Sequence, residues 1–267
     1  MLAKLLKYEF KATARLFIPL YVALLVFTLI NRMFNIIDII DNTVEINIKL
    51  MLSIVSMIGN IGLIAGIGVM TLVIMIQRFY KSLLGDEGYL MFTLPVKTWE
   101  NVLSKLVTAV FWTLSSVFVT IISVIIISNV ENIFENLIKI INDINYGFGI
   151  AGFVSIPAFF IISISSAILM FYTAIALGHQ FTKHKLIASF GMFCALYFIN
   201  SIIYTLVFLV FGIAIDFEIL SNLLDYSTSM HLKTNITALL FSLYPLIIAV
   251  VQFLVINFIL KKKLNLE

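Results

Sequence analysis

Six long apolar runs alternate with shorter polar stretches along this chain. They fall at 16–34, 54–76, 106–128, 150–178, 186–214 and 236–260. Each is about as long as the roughly 20 residues that a helix needs to cross a bilayer. The runs are continuous rather than alternating, which excludes β-barrel strands. The fourth and fifth are long enough to tilt or to extend past the hydrocarbon. The pattern predicts an all-α polytopic membrane protein, a six-transmembrane-helix bundle occupying residues 1–267 as a single transmembrane domain.

Two segments outside the runs carry structure of their own. In residues 1–15, Lys4, Lys7, Lys11 and Arg15 form one stripe at 100° per residue, with Leu2, Leu5, Leu6, Phe10 and Leu16 opposite. This predicts an N-terminal amphipathic interfacial helix along the inner leaflet, its lysines toward anionic headgroups. Glu9 falls in the apolar face, either as a carboxylate that snorkels to water or as an N-terminal docking contact for a basic residue. In the 77–105 loop, Gly85-Asp86-Glu87-Gly88 is a turn signal, followed by Tyr89, Leu90, Met91, Phe92 and Leu94 before Pro95 stops any helix. Exposed aromatics between acids suit a protein–protein contact. A helix starts again at Thr98 and leads into the third run. In the last run, Pro245 removes a backbone donor and predicts a helix kink. The 129–149 and 215–235 stretches have room for short interfacial helices.

Composition agrees with the pattern. Of 267 residues, 62% are hydrophobic and 12% are charged, about half the charged share of a soluble domain. Lipid must solvate that much apolar surface. The basic start leads into a full-length apolar run and then Asn31-Arg32-Met33-Phe34 rather than a small-residue cleavage site, so the first span is expected to stay in the mature protein.

Lys and Arg set the expected orientation. The N-terminal segment, the 77–105 loop, the 179–185 loop and the C-terminal tail hold thirteen of them, and the opposite side holds four: Arg32, Lys49, Lys139 and Lys233. This is expected to put both termini in the cytoplasm, with the chain multi-pass in the inner membrane.

The runs lack chemistry of the charged kind. Among them only Arg32 carries a charge, at the outer end of the first. Ion-coupled transporters generally place ionisable groups near the midplane, and intramembrane hydrolases need an acid, base or metal site. No G-x-x-x-x-G-K-[ST] motif is present, and Gly59, Gly62, Gly66 and Gly68 read as helix-packing glycines. His179 and His184 are five apart with no acidic or cysteine partner near, which reads as solvated or interfacial. His231 reads the same way. Cys194, the single cysteine, reads as a small packing residue. No catalytic, metal or cofactor site and no nucleic-acid partner is expected.

Leu5-Leu6-Lys7-Tyr8-Glu9-Phe10-Lys11, Phe79-Tyr80-Lys81, Gly85-Asp86-Glu87-Gly88-Tyr89-Leu90 and Thr93-Leu94-Pro95-Val96 together resemble the membrane subunit of ABC-2 type ATP-binding cassette exporters of Gram-positive bacteria. The topology resembles that family over the whole chain, the motifs only over about residues 1–100. The resemblance implies a permease without enzyme activity, driven by a separate cytoplasmic ATPase subunit that binds ATP. It implies a cytoplasmic coupling helix between spans two and three, with Asp86, Glu87, Tyr89, Leu90, Leu94 and Pro95 as the ATPase-coupling contact. It further implies a second permease copy or a sister chain, beside membrane lipid. The spans offer Phe, Tyr, Ser and Asn rather than charge, so the expected cargo is amphipathic: an antimicrobial peptide, a lantibiotic or a lipid-like molecule. The alternative is a non-transporting immunity or sensor partner.

Overall fold

The computed structural model describes residues 2–40, 46–85, 88, 96–127, 133–181, 183–216 and 230–262. The protein is an all-α polytopic membrane protein. Its described helices are α1 (Leu2–Ile40), α2 (Ile46–Phe79), α3 (Thr98–Ile127), α4 (Ile133–Phe148), α5 (Gly152–Gly178), α6 (Lys185–Asp216) and α7 (Met230–Lys262). Six of these, all but α4, are long and apolar enough to cross a membrane.

All the spanning helices but α5 are longer than the apolar runs that predict them. α3 begins at Thr98, eight residues before its run at 106, and its first turn is stabilised by Glu100, whose carboxylate accepts the Lys97 backbone N–H at 3.1 Å. This is half of a capping box, with a negative charge at the positive end of the helix. α1 runs through both the 1–15 segment and the first span as one helix of 39 residues, with Pro19 inside it. The basic stripe is there: Lys4, Lys7, Lys11 and Arg15 are exposed, while Leu5, Leu6 and Phe10 are half-buried. What changes at residue 16 is which faces are apolar, and that does not interrupt the backbone.

α4 is an amphipathic helix in the 129–149 stretch. Leu137, Ile138 and Ile141 line one exposed face, with Glu135, Lys139 and Asn142 opposite. A short helix of this kind lies in the plane of the interface rather than across it. Gly149, at φ 64°, turns the chain from α4 into α5, a left-handed position that suits glycine.

Contacts group the chain into two compact units, Met1–Arg78 with Val107–Ile133, and Phe79–Leu106 with Phe134–Glu267. In the first unit, uncharged side chains tie α1, α2 and α3 together. The Trp112 indole N–H donates to Thr13 Oγ1 at 2.7 Å, and the Phe17 ring stacks on Trp112 at 4.6 Å. Ser116 Oγ lies 2.7 Å from the Tyr21 hydroxyl and 2.9 Å from Thr71 Oγ1. Thr28 and Ser123 hydroxyls meet at 2.8 Å, and Asn31 donates to the Ser56 carbonyl at 3.3 Å. Where lipid removes the hydrophobic drive between helices, such bonds hold them together, at about 0.6 kcal/mol each on average.

The expected packing role of the α2 glycines holds at one position. A Cβ on Gly59 would press on the Phe27 ring, whereas Gly62, Gly66 and Gly68 face open space. Cys194 likewise is exposed on α6 rather than packed.

In the second unit α5 packs on both α6 and α7. The close approach to α6 is at Gly178, where a Cβ would overlap the backbone of Ser189. Phe171 stacks on Phe193 at 4.7 Å. The Asn235 amide of α7 donates at 2.8 Å to the carbonyl of Phe148, the last residue of α4.

Candidate functional site

A cavity of about 380 Å³ opens among α5, α6 and α7 of the second unit. Each helix lines it with one face, set by helical periodicity. α5 contributes Phe159, Ser163, Ser166 and Met170. α6 contributes Tyr197, Asn200, Ser201 and Tyr204, at spacings of three, one and three. α7 contributes Phe241, Tyr244, Pro245 and Ile248 at the same spacings.

The polar groups of the walls are partly tied to one another. The Tyr244 hydroxyl donates to the Asn200 carbonyl at 2.8 Å, and the Asn200 amide reaches Met170 Sδ at 3.4 Å. Tyr204 and Tyr244 meet edge to face at 5.6 Å. No Lys, Arg, His, Asp or Glu lines the cavity among the described residues. Such a wall can hold an apolar body and hydrogen-bond to a neutral group.

Beside the cavity, the flanks of the 77–105 loop are anchored in the same unit. After α2 the chain widens into a π-helical turn, Tyr80–Leu84, closed by the Gly85 N–H on the Tyr80 carbonyl at 2.9 Å. Phe79 is fully buried and stacks on Tyr172 of α5 at 4.0 Å with ring planes 9° apart. Leu83, Leu84 and Ser82 are buried as well. On the far side of the loop, Thr98 donates to Asn257 Oδ1 of α7 at 2.7 Å, and Asn101, Val102 and Lys105 are buried. The two flanks of the loop thus rest on α5 and on α7.

No protein-family model, curated protein or solved structure matches this chain.

Of the residues singled out from sequence, Pro245 lies in the cavity wall, inside an α7 that continues through it. Glu9 is half-buried on α1, its carbonyl accepting the Thr13 hydroxyl at 2.7 Å. Asp86, Glu87, Tyr89, Leu90, Leu94 and Pro95 lie outside the described residues; only their anchored flanks and the buried Gly88 are placed. His179 is half-buried with its ring 6.0 Å from that of Tyr80. Burial, with Lys185 adding to it, lowers its pKa below the ordinary 6.5. Among the described residues no His, Cys, Asp and Glu cluster could hold a metal ion.

Apart from Pro245, the cavity residues were not named from the sequence. Their signal is the recurrence of Tyr, Asn, Ser and Tyr at 197, 200, 201 and 204, one face of an otherwise apolar helix.

Proposed function

We propose that this protein is the membrane-spanning permease subunit of an ATP-binding cassette exporter. It moves an amphipathic cargo using ATP hydrolysed by a separate cytoplasmic subunit. The observation that carries the reading is the uncharged aromatic and hydroxyl cavity of α5, α6 and α7. It sits in a membrane protein whose apolar runs hold no charged residue apart from Arg32. Such a cavity binds but has nothing with which to couple to an ion gradient, so energy would enter from outside the membrane.

The anchored loop supports the same reading. Phe79 and Thr98 seat its two ends on α5 and α7, which are cavity walls. A push on residues 86–95 from a docked ATPase would reach the cavity through packed side chains. In this reading Asp86, Glu87, Tyr89, Leu90, Leu94 and Pro95 form the docking element. Glu9 supplies a further contact, two permease chains or a permease and a sister chain enclose the pathway, and both termini face the cytoplasm.

The test is affinity purification in mild detergent with identification of the co-purifying proteins. A nucleotide-binding subunit is expected with the native chain. Tyr89→Ala combined with Leu90→Ala should weaken its retention by two or three orders of magnitude, since anchors of this kind are worth about 2–4 kcal/mol. Recovery of no ATPase with the native chain would favour a non-transporting immunity or sensor protein instead.

A further inference from the structure

We infer that the α5–α6–α7 cavity binds a neutral lipid-like amphiphile, with an apolar body of acyl carbon and a small uncharged head of hydroxyl and ester oxygens, as in a diacylglycerol. The assignment rests on the transport reading only in naming this ligand as cargo; the binding itself follows from the cavity.

Charge decides first. An anionic headgroup would find no Lys or Arg in the lining, and a cation would find no carboxylate. An ion brought into such a site loses its water and gains no partner, which is prohibitive in a low-dielectric interior. Neutral polar groups carry no such penalty where donors and acceptors are at hand. The Ser163, Ser166 and Ser201 hydroxyls line the cavity without a hydrogen-bond partner among the described residues. Nearby Ser165 and Thr205, outside the lining, instead donate back to their own helix carbonyls at 2.7 and 2.9 Å. The cavity serines are therefore the groups open to a ligand's oxygens.

Size decides next. About 380 Å³ lies near the lower end of the roughly 300–1,000 Å³ that small-molecule sites span. That is room for a small head and the first part of an acyl chain, and too little for a folded peptide. The aromatic walls then supply contact area for the chain.

The competing chemistry is a quaternary ammonium held by the same rings through cation–π attraction. The experiment separates the two. The full chain is placed in nanodiscs of phosphatidylglycerol and phosphatidylethanolamine. It is irradiated with a diacylglycerol carrying a diazirine in one acyl chain, and in parallel with phosphatidic acid and an acylcholine bearing the same label. Crosslinked peptides are mapped by mass spectrometry. The diacylglycerol should label the cavity faces of α5, α6 and α7 about ten times more than either charged probe. Unlabelled dioctanoylglycerol should compete that labelling away on the native chain. Ser201→Leu should reduce it several-fold while labelling around the exposed Phe198 stays unchanged. Stronger labelling by the acylcholine would assign the cavity to a cation and overturn the inference. Equal labelling of the cavity and the Phe198 surface, without competition, would reduce it to bulk lipid contact and also overturn it. No ATPase takes part in this measurement. An ATPase that co-purifies with a chain that binds no diacylglycerol removes this inference alone. Diacylglycerol binding by a chain that retains no ATPase removes the transport reading alone.

Discussion

Trp112 of α3 and Thr13 of α1 are joined by a 2.7 Å hydrogen bond in which both groups are buried. The Thr13 hydroxyl donates to the Glu9 carbonyl at 2.7 Å, which leaves its oxygen lone pair for the indole N–H. Thr13→Val orphans that N–H and should cost about 1–2 kcal/mol. Thr13→Ser keeps the acceptor and should cost much less. Thermal unfolding of the two variants in detergent gives the comparison; equal stability of Thr13→Val and the native chain would show that this bond contributes nothing.

Glycines on different helices should respond oppositely to an added methyl. Gly178→Ala drives a Cβ into the Ser189 backbone and should destabilise by at least about 1–3 kcal/mol, because backbone cannot move aside as a side-chain tip can. Gly62→Ala meets open space and should be neutral or stabilising by up to about 1 kcal/mol through helix propensity. Thermal stability in detergent checks both.

Acid should weaken the protein through His179. Its pKa in the folded state lies below 6.5, so the unfolded chain takes up a proton first as pH falls. The stability it contributes is fully present above about pH 6.5 and is lost as pH falls through the folded-state value. Lys185 faces it and disfavours its protonation further. His179→Gln should flatten that part of the stability–pH curve. An unchanged curve would place the titrating group elsewhere.

Orientation is open to thiol labelling. After Cys194 is replaced, cysteines at Asn47 or Ile141 should react with an impermeant reagent in intact cells, and cysteines at Lys81 or Lys183 only after permeabilisation. Reaction at position 81 in intact cells would reverse the assigned topology.

Pro245 lies in the cavity wall one residue beyond Tyr244, whose hydroxyl holds the Asn200 carbonyl of α6. With no N–H at that position, the halves of α7 are free to tilt against each other. For the permease proposed above, Pro245→Ala should leave assembly intact and slow cargo-stimulated ATP hydrolysis by the assembled complex. Hydrolysis at the native rate would make the proline a packing feature only.

Much of the fold was legible because hydropathy sums over whole spans. The run at 150–178 became Gly152–Gly178 and the run at 186–214 became Lys185–Asp216. The helix start at Thr98 was readable too, since turn and proline signals precede it. The unbroken α1 was not, because the change from an amphipathic to an apolar pattern near residue 16 looks like a boundary although it alters only side chains. The roles of Gly62, Gly66 and Gly68 could not be read from spacing, since spacing does not say which face meets a neighbour. The cavity escaped for a related reason. Four polar positions spread over eight residues of α6 barely dent its hydropathy, and they become a site only beside Ser163 and Tyr244 from other helices.

The unbroken α1 has a mechanical consequence. Its 39 residues make a rod about 58 Å long, against about 30 Å of hydrocarbon. Even upright, roughly five turns of it stand in headgroups or water. A rod converts a sideways force at one end into rotation at the other. Anything that grips the exposed Lys4, Lys7 and Lys11 therefore acts with leverage on Phe17 and Tyr21, two and more turns inside. Pro19, lacking its backbone donor, is the softest joint along that arm and sets how much of the torque passes beyond it.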